Sequence, residues 1–128
     1  MKRIHLSQGC ALTIIPSDKF KTEYFDFNLI LPLREETASY AALLPAVLRR
    51  GCEKYPTMAS LTKHLDYLYS TGFSTRVLKR GENQILGFTM DFLRDALVPD
   101  GKSLGEDVFA ALHAGYGISL AFRQGGII

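Results

Sequence analysis

The sequence predicts an α+β fold: an antiparallel sheet with helices packed on one face, in the order strand, strand, helix, helix, strand, strand, helix. Two segments, 22–33 and 84–93, alternate apolar and polar residues with period two. Three others, 35–50, 57–68 and 103–112, repeat their apolar residues at helical spacing. Short turn words separate the paired strand segments, which favours antiparallel hairpins with helices between them.

Residues 10–16 alternate weakly and end at the turn word Pro16-Ser17-Asp18-Lys19. From Thr22 to Leu33 the alternation is clear, with Phe25, Phe27, Leu29, Leu31 and Leu33 on one face and Asp26 and Asn28 on the other. A short polar loop joins these two segments, so they are expected to form a hairpin. Between Glu35 and Arg50 the period changes: Ala38, Ala41, Ala42, Leu44, Ala46 and Leu48 suit a helix ended by Gly51. Pro45 lies well inside it, removes a donor and crowds the preceding turn, which predicts a bend or break. A second helix starts at the cap Pro56-Thr57 and buries Leu61, Leu65 and Leu68. Gly72 opens a strand over 73–79, Arg80-Gly81-Glu82-Asn83 turns the chain, and 84–93 returns with Leu86, Phe88, Met90 and Phe92 sharing a face. Ser103 and Glu106 form a capping-box pattern ahead of a third stripe, Leu104, Val108, Ala111 and Leu112.

At 128 residues the chain fits one domain, expected to occupy 1–113. The segment 114–128 has four glycines and no acidic residue, and reads as an irregular, truncated or frameshifted tail. A net charge of +2, with adjacent basic residues only in scattered pairs, argues against a nucleic-acid or anionic-membrane partner. No run approaches the roughly 18 apolar residues of a spanning helix. Two cysteines, Cys10 and Cys52, make neither a disulfide framework nor a zinc knuckle, which suits a reducing cytoplasm.

The stretch from Leu43 to Thr57, LLPAVLRRGCEKYPT, resembles the signature of insulinase-like (pitrilysin and processing peptidase) zinc peptidases. There a His-x-x-Glu-His helix runs into a basic-Gly-Thr turn and a Tyr-Pro or similar pair. The helix 61–69 and the strand opening Gly72-Phe73-Ser74-Thr75 follow in that family's order. The opening Ile15-Pro16-Ser17-Asp18-Lys19-Phe20-Lys21-Thr22 and the turn Leu48-Arg49-Arg50-Gly51 are similar to a bacterial branch associated with aminopentanol modification of elongation factor P. The resemblance covers residues 8–110 and implies an inverzincin-like half-domain.

An inverzincin needs two histidines one helical turn apart, a glutamate between them as general base, and a later carboxylate. With Gly51 placed on the family's turn glycine, the three motif positions fall at Ala42, Pro45 and Ala46, and the later carboxylate near Phe122. None of these can ligate metal or move a proton. His5, His64 and His113 belong to different elements, and Glu106 comes too early and reads as a capping residue. Cys52 beside Arg50 and Lys54 has a solvated turn as its simpler explanation. The sequence therefore predicts no catalytic residue, no metal ligand and no cofactor.

The resemblance implies that binding remains. The family's substrate lies beside the strand after the second helix, here Phe73-Ser74-Thr75-Arg76-Val77, where an extended peptide can add as a further strand. Some family members also work as pairs, one catalytic and one not, so a catalytic insulinase-like subunit is the second expected partner. The alternatives are an active zinc metallopeptidase with an unrecognised site and a plain structural interaction domain.

Overall fold

Both alternating segments of the sequence become strands of one sheet. The computed structural model describes residues 1–116, 122–123 and 126–127. Its elements are β1 (Lys2–Ser7), β2 (Cys10–Ile14), β3 (Thr22–Pro32), α1 (Ala38–Leu48), α2 (Met58–Tyr67), β4 (Gly72–Arg80), β5 (Asn83–Leu93), a 3-10 turn (Asp95–Leu97), α3 (Leu104–Tyr116), β6 (Phe122–Arg123) and β7 (Gly126–Ile127). The main sheet has the order β3-β5-β4, antiparallel throughout. Strand β5 is central, paired on both sides, and its inner face is the most deeply buried of the sheet. Leu86, Phe88, Met90 and Phe92 are each 6% exposed or less. Each contributes about 2 kcal/mol by leaving water.

The register assigns the two faces. Phe25, Phe27 and Leu29 of β3 lie opposite Met90, Phe88 and Leu86, and Phe73, Thr75 and Val77 of β4 lie opposite the same three. That face carries the helices. Leu68 at the end of α2, Val98, and Leu104 and Val108 of α3 join Met90 and Phe92 in one buried cluster. Helix α1 is tied to the same face where Gln84 Nε2 donates to the Ala38 carbonyl at 3.0 Å. The α+β class and the one-sided helical layer follow the expectation.

Two expectations are corrected. Residues 10–14 pair with an earlier strand, β1, and not with 22–33. The Gln8-Gly9 turn makes this possible, since Gly9 takes a positive φ of 75° that a side chain would oppose. The pairing sets Ile4 opposite Leu12. Helix α1 also runs without a break through Pro45, and the Arg49 N–H donates to the Pro45 carbonyl at 3.0 Å. An interior proline costs about 3 kcal/mol of helix stability. Its ring is fully buried here, and that packing offsets the cost.

Helix α2 starts as its sequence predicts. The Ser60 N–H donates to Thr57 Oγ1 at 3.1 Å, and the Thr57 N–H to Ser60 Oγ at 3.2 Å, a complete capping box. It ends through two consecutive left-handed residues, Tyr69 (φ 55°) and Ser70 (φ 57°). The Ser70 and Thr71 N–H groups then donate back to the carbonyls of Asp66 and Leu65. At α3, Ser103 Oγ accepts from the Glu106 N–H at 3.5 Å. The stronger cap is Asp95, whose Oδ1 accepts from the Leu104 N–H at 2.7 Å and whose Oδ2 accepts from Ser103 at 2.8 Å. Helix α3 reaches Tyr116, and the expectation of a truncated or frameshifted tail after His113 falls largely outside the described residues.

Candidate peptide-binding edge

The strand expected to bind peptide is at the border of the main sheet. Strand β4 pairs with β5 from Gly72↔Asp91 to Arg80↔Asn83, and β5 is its one strand partner among the described residues. The β-branched residues Thr75 and Val77 hold the segment extended, and the two-residue Gly81-Glu82 turn fixes its register against β5. Period two splits the five expected residues. Phe73, Thr75 and Val77 face the helical layer, and Ser74 and Arg76 face the open side.

Arg76 is fully engaged. Its side chain crosses β5 and reaches β3: Nη1 donates to Thr89 Oγ1 at 3.0 Å, and Nη2 to Asn28 Oδ1 at 2.9 Å and Asp26 Oδ2 at 2.5 Å. Thr89 donates onward to Asp26 Oδ1 at 2.8 Å, and Asn28 Nδ2 to Asp26 Oδ2 at 3.0 Å. The path runs over Gly87. A Cβ there would lie 2.7 Å from Arg76 Cγ and 3.0 Å from Asn28 Oδ1. Burial alone would raise the Asp26 pKa, but the hydrogen bonds from Arg76, Asn28 and Thr89 and the Arg76 charge outweigh it and hold the carboxyl below its ordinary value. Arg76 thus braces the sheet and is not a free cation for a ligand. Sequence alternation put Asp26 and Asn28 on the polar face, but only the register of β3 and β4 against Gly87 could bring Arg76 to them.

The three positions that the resemblance aligns with the peptidase motif carry hydrocarbon on α1: Ala42 half-buried, Pro45 buried and Ala46 exposed. Among the described residues, no three His, Cys, Asp or Glu side chains come together as a metal site. His5 stands exposed on β1. His64 on α2 stacks on Tyr55 with ring centroids 4.5 Å apart and neighbours Tyr67 at 6.5 Å. Burial and the Lys54 charge lower its pKa, against a smaller opposing effect of Asp107. This aromatic stack was not anticipated, because Tyr55 and His64 meet only once the turn before α2 folds back. The His113 side chain lies outside the described residues, as does that of Phe122 in β6. Glu106 lies exposed in the first turn of α3. Cys10 is exposed and Cys52 half-buried, both free thiols. No helix among the described residues is long and apolar enough to cross a membrane.

The described residues form an α+β sheet with an open edge at β4 and helices on one face. The chain is similar to a Bacillus subtilis (strain 168) protein described as "Probable inactive metalloprotease YmfF", with 34% identity over 98 residues. The match takes in 77% of this chain and 23% of that protein, so the chain spans about a quarter of its relative's length. The fold is shared with a solved structure, "Crystal structure of a conserved protein from Enterococcus faecalis V583", at a TM-score of 0.81 and 23% identity. That likeness covers 92% of this chain and 28% of the other. No family model matches the sequence.

Proposed function

We propose that this chain is a noncatalytic peptidase homologue that holds an extended peptide as an added strand beside β4. The observation that carries the proposal is the position of β4 at the sheet border, with β5 its one described strand partner. Backbone hydrogen bonding along that border supplies affinity, with no metal required. The relative named an inactive metalloprotease supports the noncatalytic half of this reading. The finer assignment, to insulinase-like peptidases and their branch associated with elongation factor P modification, rests on the words at 43–57 and 15–22. In such a setting the same edge suits pairing with a catalytic, zinc-bearing subunit. Two free thiols support a reducing cytoplasm.

The test is titration of fluorescein-labelled extended heptapeptides into the chain, read by anisotropy. Saturable binding is expected, and N-methylation of alternate peptide amides should weaken it at least tenfold because it removes edge-facing donors. Binding indifferent to N-methylation, or none, would refute strand addition. Peptide cleavage that a chelator abolishes, with one zinc per chain, would refute the noncatalytic reading.

A further inference from the structure

Helix α1 is apolar on both sides. The sheet-facing stripe is Ala38, Ala41, Ala42, Pro45 and Leu48, each at least half-buried. The opposite stripe, Tyr40, Leu43, Leu44 and Val47, is 78%, 60%, 42% and 62% exposed. Neither turn of the helix compensates with charge, since its first turn has no acidic and its last turn no basic residue. A helix hydrophobic all round belongs in the middle of a structure, packed on two sides. The four outer side chains expose on the order of 400 Å², at the size where an apolar patch marks an interaction surface. Their i, i+3, i+4, i+7 spacing is the ridge that receives another helix.

We propose that this outer face is the seat of an amphipathic helix from a longer polypeptide in which this fold is one unit. Two observations select this occupant. In the Bacillus relative the matched segment is 23% of the protein, and in the Enterococcus structure the shared fold is 28% of the chain, so each carries this unit beside much more polypeptide. A second copy packed α1 on α1 is disfavoured by area: the stripe offers about half of the ~800 Å² per partner that a specific interface buries. A longer polypeptide is not confined to α1. The β1–β2 hairpin sets Ile4 opposite Leu12 and packs chiefly on itself. With the sheet below and the added helix above, α1 becomes the middle of three layers.

The experiment reads thiol protection in a Cys10→Ser, Cys52→Ser background. Leu43→Cys and Val47→Cys are placed in the 128-residue chain and in a chimera of the full-length Bacillus relative whose matched segment is replaced by this chain. Maleimide should react rapidly in the 128-residue chain and at least tenfold more slowly in the chimera. Equal rates would overturn the proposal, and so would protection in the 128-residue chain with a dimer mass by light scattering. A second measurement does not depend on the chimera. The chain should enhance anilinonaphthalene sulfonate fluorescence, and Leu43→Asp with Val47→Asp should remove most of that enhancement while heptapeptide binding at β4 stays unchanged. Enhancement equal in both proteins would overturn the proposal, and the heptapeptide arm separates that outcome from a failure of strand addition.

Discussion

Arg76 on one border strand and Asp26 on the other meet across the middle strand, with Nη2 to Oδ2 at 2.5 Å over the bare backbone of Gly87. The pair is about 40% exposed on both sides, so its charge attraction is screened, and its worth lies in the shared hydrogen bonds. Gly87→Ala should therefore cost about 1–2 kcal/mol in urea unfolding, since its Cβ would press on Arg76 Cγ. Combined with Arg76→Ala, which removes that atom, the same alanine should cost less than it does alone. Additive losses in the double-mutant cycle would count against the brace.

Asp26 gives the brace a pH signature. Its carboxyl is held below the ordinary 3.8 in the folded chain, so on acidification the unfolded chain takes up its proton first. The stability it contributes is complete above the unfolded value and is lost as pH falls through the folded one. Asp26→Asn should be less stable than the parent by roughly 0.5–1 kcal/mol at pH 7, the range for a screened pair. That gap should narrow as pH falls below the ordinary 3.8 and close once the folded carboxyl is protonated. Urea midpoints at pH 7, 4 and 2.5 check this, and a constant gap would contradict it.

The two ends of α2 should respond with opposite signs. Thr57→Ala removes the side chain that accepts from the Ser60 N–H and should cost about 1 kcal/mol. Ser70→Gly relieves a residue held at φ 57° and should gain about 0.5–1 kcal/mol. Thermal melts of both single variants and of the pair test the two effects together.

Pro45→Glu, which puts a carboxylate where the resemblance to zinc peptidases would place a general base, should produce no hydrolysis. Pro45 is fully buried, so the new carboxylate enters an apolar site without a partner and should cost about 3 kcal/mol or be protonated. Calorimetry and a fluorogenic peptide assay are the measurements. An active variant of undiminished stability would show that the position faces a working site.

The sequence was most legible where one side chain's neighbours are local. Leu86 to Phe92 gave a strand by period alone, though not its place between β3 and β4, and Thr57-Met58-Ala59-Ser60 gave the start of α2. Non-local relations were hidden. β1 was missed because Lys2-Arg3-Ile4-His5-Leu6-Ser7 alternates in a short, charged stretch, and its discovery moved 10–14 away from β3. Pro45 was read by its backbone effect, and only the packed structure shows its ring as core. At the candidate site the strand Phe73–Val77 was legible, while the engagement of Arg76 depended on a register no local pattern encodes.

The strand order β3-β5-β4 also sets a schedule. β4 and β5 are joined by two residues and can close within microseconds, whereas β3 must wait for a partner about sixty residues further along the chain. On the ribosome, Phe25 and Phe27 therefore emerge well before their strand partners Met90 and Phe88. Substitutions in the Gly81-Glu82 turn should slow refolding more than they speed unfolding, and core truncations in β3 such as Phe27→Leu should do the reverse, as stopped-flow chevrons would record. The first strand of the main sheet to be synthesised is the last to be seated.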